Sequence, residues 1–295
     1  MNFEEMRICR TMKAESICYT YLAEESGRAR ALAEAMNYSV KAGGKRIRPL
    51  LVMLACQMCG GTPEDAGPYM AAIEMIHSHS LVHDDLPAMD NDELRRGKPS
   101  TWKLYGEAAA ILAGDGLLNY AYETMAKDLL EHPGDMGRVK AFSIIAQKSG
   151  HNGMIGGQSV DVETDGRKLN VETLDYIYRL KTGALLEASL MAGAALAGAD
   201  QETIDRFEQI GRKVGLAFQI EDDILDVVGN EAMLGKHLNS DERNQKTTYV
   251  TLYGLDKARE DSRRLTEEAL ELLDSFEAEH SFLRALIESL AGREF

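Results

Sequence analysis

The stretch His83-Asp84-Asp85-Leu86-Pro87-Ala88-Met89-Asp90 decides how the chain is read, and Asp222-Asp223-Ile224-Leu225-Asp226 answers it from the other half. Each packs several carboxylates into one or two helical turns. Their surroundings are apolar: Ile76, Leu81 and Val82 lead into the first, and Leu216, Ala217, Phe218, Ile220 and Ile224 surround the second. Desolvating a charge is expensive, so carboxylates are seldom buried without a partner. Two such clusters on apolar helices therefore point to a shared polyvalent cation. Ligands that are all oxygen favour a hard ion such as Mg²⁺, which keeps several waters and is often completed by substrate phosphates. At about 100° per residue, Asp222 and Asp226 fall on one helix face, one turn apart. Asp84 and Asp90 would diverge by roughly 120° on a straight helix. Pro87 removes a backbone donor and ends or kinks the helix near Leu86, which lets the chain bring Asp90 back toward Asp84. One acidic cluster alone reads equally as a helix end facing solvent. Two, each followed by basic residues, favour the metal.

Composition narrows the rest. Hydrophobic residues make up 44% of the 295, enough for a large core. Abundant Ala, Leu, Glu and Met with only 6% aromatics lean toward helix. A net charge of −15 argues against nucleic acid or an anionic membrane as a general partner, so basic clusters in this chain are informative. The chain has no early apolar stretch and no run long enough to cross a bilayer; the expectation is a soluble cytoplasmic protein without stable membrane insertion. Cys56-Gln57-Met58-Cys59 fits a CxxC spacing, but it lies in an apolar helical run without a second pair, and the cysteines are read as packing residues.

Taken in order, residues 3–37 read as helix, stopping near Gly43-Gly44. Lys45-Arg46-Ile47-Arg48-Pro49 follows, and three cations in four positions after two glycines suit an anion with several oxygens, although a solvated loop would look the same. Residues 50–58 read as an apolar helix. Thr62 is placed as the cap of the next one and Pro63 as its first residue. Helix 68–86 delivers the first aspartates, with His77 two turns before Asp84 on nearly the same face. Arg95-Arg96-Gly97-Lys98 comes directly after the acidic cluster, as a diphosphate bridging to a metal would require. Helices near 107–130 and 138–151 read as structural, the first interrupted by Gly114-Asp115. In Gly156-Gly157-Gln158-Ser159-Val160-Asp161 the glycines suit close helix packing, whereas Gln158 and Asp161 stay open between solvent and a supporting role. Lys181-Thr182-Gly183 inside helix 173–198 costs about 1 kcal/mol at the glycine and marks a bend or a close backbone approach. Helix 201–228 carries Gln219 and the second aspartates. The polar segment 229–248, with Gly235-Lys236, is read either as closing over an anion or as an ordinary loop. Residues 255–291 read as amphipathic helix, and no strand is expected.

Together these residues resemble the trans-polyprenyl diphosphate synthases, on the side of their bacterial farnesyl diphosphate synthases. The match runs through GGKRIRP at 43–49, DDLPAMD at 84–90, LRRGKP at 94–99, GGQSVD at 156–161, KTG at 181–183, FQIEDDILD at 218–226, GK at 235–236 and KTTY at 246–249. Each fragment is weak alone; their order and spacing are specific. The resemblance implies one polyprenyl synthase domain over 1–295, with the all-α isoprenoid-synthase helical bundle around a deep central cavity, as a homodimer. It implies that Asp84, Asp85, Asp90, Asp222 and Asp226 hold Mg²⁺, three ions per site. Arg95, Lys181 and Lys236 would contact the allylic diphosphate, and Lys45, Arg48, His77 and Arg96 the isopentenyl diphosphate. Lys181, Thr182 and Gln219 would be catalytic, the last two lining the reacting carbons.

The resemblance implies that product length turns on the residues before the first aspartates. The resemblance puts an aromatic residue five positions before Asp84, where this chain has His79, with the small Ser80 beside it. The Pro87-Ala88 insertion is present. The expectation is a C15 product, with His79 and Ser80 as the pocket floor and C20 as the alternative. A terpene cyclase on the same fold would not need the second cation set at Lys45, Arg48, His77 and Arg96. A non-catalytic scaffold would tolerate a degraded aspartate motif, yet both motifs are intact.

Overall fold

The computed structural model describes residues 2–228 and 247–291. The stretch 3–37 is two helices, α1 (Phe3–Tyr19) and α2 (Arg30–Lys41), where one was expected. Between them the chain turns through Gly27 at φ +66°. Asn37 of α2 donates back to the Ala23 carbonyl at 2.8 Å and to Glu25 at 2.9 Å, so the turn is tied down by a tertiary bond that leaves no periodic signal. α3 (Ile47–Met58) and α4 (Pro63–Asp84) follow. Thr62 and Asp65 form a reciprocal capping box with Pro63 at the first helical position, as read from the sequence.

Strands do occur, against expectation. Leu94–Arg95 (β1) and Lys98–Pro99 (β2) pair antiparallel, Leu94 opposite Pro99 and Arg95 opposite Lys98. The two turn residues, Arg96 and Gly97, both have positive φ, the geometry that matches strand twist in a two-residue hairpin. Strands this short carry no readable alternation. Beyond them come α5 (Thr101–Tyr105), α6 (Glu107–Glu131), α7 (Met136–Ser149), α8 (Met154–Glu163) and α9 (Val171–Ile177). α6 is unbroken at Gly114: a side chain there would meet the His83 ring at 2.2 Å, so the glycine makes room for that ring.

A π turn at Tyr178–Gly183 separates α9 from α10 (Ala184–Leu196), and α11 (Gln201–Val228) has the bounds read from its sequence. The rest of the described chain is α12 (Tyr249–Tyr253), α13 (Leu255–Asp274) and α14 (Ser281–Ala291). The expected helix over 255–291 is thus broken, with Ser275 ending α13. All thirteen residues of α10 are buried, which makes it the central helix, wrapped by α3, α4, α7 and α11. No helix among the described residues is long and apolar enough to cross a membrane.

Neighbouring helices close tightly on the π turn. A side chain on Gly157 of α8 would meet the Lys181 backbone nitrogen at 2.3 Å, and one on Gly215 of α11 would meet Gly183 Cα at 2.8 Å. The Lys-Thr-Gly segment is therefore a close backbone approach, set in a π turn. Because backbone cannot yield as a flexible side chain does, Gly157→Ala should cost about 1–3 kcal/mol in denaturant unfolding and lower activity further by moving Lys181.

Candidate active site

α4 ends at Asp84, and the chain folds back at Pro87. The Asp90 N–H donates to the Asp84 carbonyl at 2.9 Å and the Asp92 N–H to the Asp85 carbonyl at 3.1 Å, which returns Asp90 to the helix end. Asp85 is buried and accepts from Arg95 Nε at 2.9 Å; a second Arg95 nitrogen shares the same oxygen and reaches Asp92 at 3.1 Å. Burial raises the Asp85 carboxyl despite Arg95. Burial likewise pushes Asp84 up to about 6, with Asp90 and Asp85 adding repulsion and Lys181 and Arg95 opposing it. This helix end holds more negative charge than its own cations neutralise.

Two residues left open in the sequence complete it. Gln158 Nε2 donates to Asp84 Oδ1 at 2.8 Å, and Asp161 Oδ2 accepts from Lys181 Nζ at 2.6 Å. They lie three apart on α8, so both face one side of that helix. That spacing was the available signal; their partners, 74 and 20 residues away, were not in view. Burial opposes the Lys181 charge, but Asp161 and Asp84 outweigh it and hold the ammonium above its usual range. Next to it, Thr182 Oγ1 donates to Gln219 Oε1 at 2.9 Å, joining the π turn to α11.

The second aspartates divide by role. Asp223 is buried, and accepts from the Tyr178 hydroxyl at 2.6 Å and the Tyr249 N–H at 2.7 Å, fixing α11 to the π turn and to the start of α12. Asp222 and Asp226 are one turn apart on the same helix, Asp222 half-buried and Asp226 buried. A cavity of about 150 Å³ opens beside Asp223, lined also by Asp161, Lys181, Thr182, Gln219, Thr247 and Thr248 among others; Asp222 and Asp226 are not in its lining. Lys236 lies outside the described residues.

A separate cation group sits beyond α4. Arg46 has left-handed backbone (φ 50°, ψ 33°), costing about 1–2 kcal/mol for a residue with a side chain. Its guanidinium is buried on Glu74 (2.6 Å), Glu15 (2.9 Å) and the Val40 carbonyl (2.6 Å). Arg46 is therefore a structural cation, and the expectation of three anion-facing cations reduces to Lys45 and Arg48. Arg96 donates to the Gly43 carbonyl and lies where a Gly44 side chain would stand, 2.6 Å from the would-be Cβ. Arg48 Nε is buried without a hydrogen-bond partner, and burial together with Arg96 pulls this guanidinium down to about 10 against the pull of Glu74. Burial and then Arg48, Arg96, Arg46 and Arg95 hold His77 well below the usual imidazole range, so it is neutral. His77 faces arginines, where the sequence had aligned it with the acidic side.

His79 is buried between α4 and α6. Its Nδ1 pairs with the Gly114 carbonyl at 3.0 Å, and its ring meets His83 edge-on at 4.6 Å. Burial and His83 pull it down to about 4. Ser80 is half-buried and donates back to the His77 carbonyl at 2.9 Å.

Among the described residues, no three His, Cys, Asp or Glu side chains are grouped so as to hold a metal by themselves. All-oxygen donors spread over two helix ends nevertheless fit a hard cation that retains waters and is completed by phosphate oxygens.

The comparisons with known proteins agree with this geometry. The polyprenyl synthetase family model matches residues 29–288. The chain is 44% identical to a geranylgeranyl diphosphate synthase of Cyanophora paradoxa, covering 88% of this chain and 87% of that one. It is 42% identical to a farnesyl diphosphate synthase of Geobacillus stearothermophilus, covering 95% and 94%. A geranyltransferase from Helicobacter pylori, solved with magnesium and isoprenyl diphosphate, superposes with a TM-score of 0.84 at 31% identity over 98% of this chain and 96% of that one. An all-α bundle with these similarities is a prenyltransferase acting as a trans-prenyl synthase. The chain belongs to the polyprenyl synthetase family.

Because the raised Asp84 pKa means the folded, metal-free protein binds a proton more tightly than the unfolded chain, stability falls as pH rises from about 4 to about 6 and stays lowered above. Asp84→Asn removes the charge and keeps an acceptor for Gln158. In metal-free buffer at pH 7.5 it should stabilise the protein by about 1–2 kcal/mol after solvent screening, read by thermal unfolding, while prenyl transfer is lost.

Proposed function

We propose that this protein condenses isopentenyl diphosphate with dimethylallyl and then geranyl diphosphate, giving (2E,6E)-farnesyl diphosphate. The observation that carries a two-substrate reaction is the second cation group: Arg48 with its unpartnered buried Nε, Arg96 close enough to depress it, and neutral His77 facing both. A cyclase, which takes one diphosphate, has no use for it. Clustered cations that depress one another are relieved by an anion, and with Lys45 they form the proposed isopentenyl diphosphate site.

Arg95 and Lys181 are proposed to receive the allylic diphosphate. Each is now paired with a carboxylate, Asp85 and Asp161, so each is held in place before substrate arrives. Asp84, Asp85, Asp90, Asp222 and Asp226 would hold Mg²⁺, in our reading three ions, and Lys236 would join the same diphosphate. When bound, Mg²⁺ supplies charge stabilisation to the leaving diphosphate oxygens. The chain's own part is to keep the ionised allyl group from water and face it with dipoles. The hydroxyl of Thr182 and the amide of Gln219, already bonded to each other, stabilise cationic carbon without capturing it. The isopentenyl double bond attacks that carbon, and the departing diphosphate accepts the proton lost afterwards. The whole chain is read as one such domain, in a cytoplasmic homodimer. Exposed Ile111 and Leu112 on α6 support a self-association surface.

His79 is proposed as the floor that stops growth at C15, supported by its burial, its neutrality and its anchor on the Gly114 carbonyl. Ser80 would share that floor. The C20 reading keeps one observation in its favour: the relatives divide between farnesyl and geranylgeranyl synthases. Purified protein with Mg²⁺, isopentenyl diphosphate and dimethylallyl diphosphate should yield mainly C15 alcohol after phosphatase treatment, and His79→Ala should move the main product to C20. Mainly C20 from the unaltered protein would give the geranylgeranyl assignment. No elongation would end the synthase reading.

A further inference from the structure

We propose that α1 is a brace for the isopentenyl diphosphate site, with Glu15 and Tyr19 as positioning residues acting through Arg46. The inference rests on the assignment of Lys45, Arg48, His77 and Arg96 to that substrate.

Lys45 and Arg48 flank a residue whose backbone is in the left-handed region, following glycines at φ +106° and +129°. A left-handed arginine persists only where its surroundings over-determine it. Here they do so through the side chain. Nη1 of Arg46 bonds Glu74, which lies one turn before His77 on α4, so one end of the guanidinium is fixed to the helix that carries the site. Nη2 and Nε bond Glu15 at 2.9 and 3.0 Å, and Nη2 also reaches the Tyr19 hydroxyl at 3.1 Å. Tyr19 in turn donates to Glu15 at 2.7 Å. Nη2 also donates to the Val40 carbonyl at 2.6 Å, so the α1 side of this cage shares with Val40 the task of fixing the guanidinium's rotation about its Glu74 bond, and with it the direction of the loop on either side.

α1 is held independently of the loop it braces. The Phe3 ring packs at a tilt of 37° against Phe282 of α14, centroids 5.6 Å apart, and Arg10 lies 4.3 Å over the same Phe282 ring. The family model begins at residue 29, so Glu15 and Tyr19 lie outside the matched span. Glu15 and Tyr19 bond Arg46 and each other. A brace of this kind changes how well one diphosphate is held and leaves the ionisation chemistry two turns further along α4 untouched.

Arg46 itself is a poor subject for mutation, because removing it strands the buried Glu74 charge. The test uses the α1 side. In steady-state assays varying each substrate separately, Glu15→Ala combined with Tyr19→Phe should raise KM for isopentenyl diphosphate about five- to tenfold, with the allylic KM and kcat within about twofold. Glu15→Gln keeps an acceptor oxygen and should fall between this variant and the native protein. Lys45→Ala is assayed alongside. If Lys45→Ala raises the isopentenyl KM while the α1 variant does not, or raises both KM values equally, the brace is wrong and the site assignment stands. If Lys45→Ala leaves that KM unchanged, the site assignment falls and the brace falls with it.

Discussion

Crowding like charges where water is scarce is the constraint on which this structure depends. It does so twice, with opposite sign: carboxylates at the end of α4, and arginines around His77 on the same helix. Each crowd is repulsive in isolation, and each is kept from dispersing by bonds that come from elsewhere in the chain. Gln158 holds Asp84, Arg95 holds Asp85, and Asp161 holds Lys181 close enough to act on the Asp84 charge. On the other side, Glu74 and Glu15 hold Arg46, and the Gly43 carbonyl holds Arg96. What is left unsatisfied in each group is the charge a diphosphate with its cations would complete. The same bonds that hold the groups in place are thus what makes them ready.

The packing serves that arrangement. A fully buried α10 gives the neighbouring helices a fixed axis, and glycines at 157 and 215 let α8 and α11 press against the π turn. The π turn spends one residue beyond α-helical spacing at the place where Lys181 and Thr182 must look into the cavity. Asp223 then ties that turn to α11 and α12 together. Small residues and one mid-motif aspartate do the work of holding the reactive ones.

Much of this was legible in the sequence, for identifiable reasons. α11 was readable end to end because its amphipathic period runs unbroken to Val228, and the cap of α4 because Thr62-Pro63-Glu64-Asp65 is a local signal. The break after Tyr19 was hidden because the chain there is turned by the distant Asn37 side chain. The hairpin at 94–99 was too short to show alternation. Arg46 could not be told from Lys45 and Arg48, since what separates them is burial and a backbone sign, both set by tertiary contacts. Gln158 and Asp161 showed their spacing but not their partners.

α4 and the β1–β2 hairpin serve both charge crowds, the hairpin carrying Arg95 to Asp85 and Arg96 to the Gly43 carbonyl, whereas Lys45 and Arg48 precede α4 and Gln158, Asp161, Lys181, Thr182, Gln219 and the second aspartates all follow the hairpin. On the proposed roles, ionisation and second-substrate capture therefore draw on opposite flanks of the chain that meet along one helix and its hairpin. Mutations that erode the early cations would leave a protein still equipped to ionise an allylic diphosphate but with nothing held in place to attack the cation. Such a division lets descent alter the fate of the carbocation while inheriting the machinery that makes it, and α4 with its hairpin is the stretch that neither lineage is free to change.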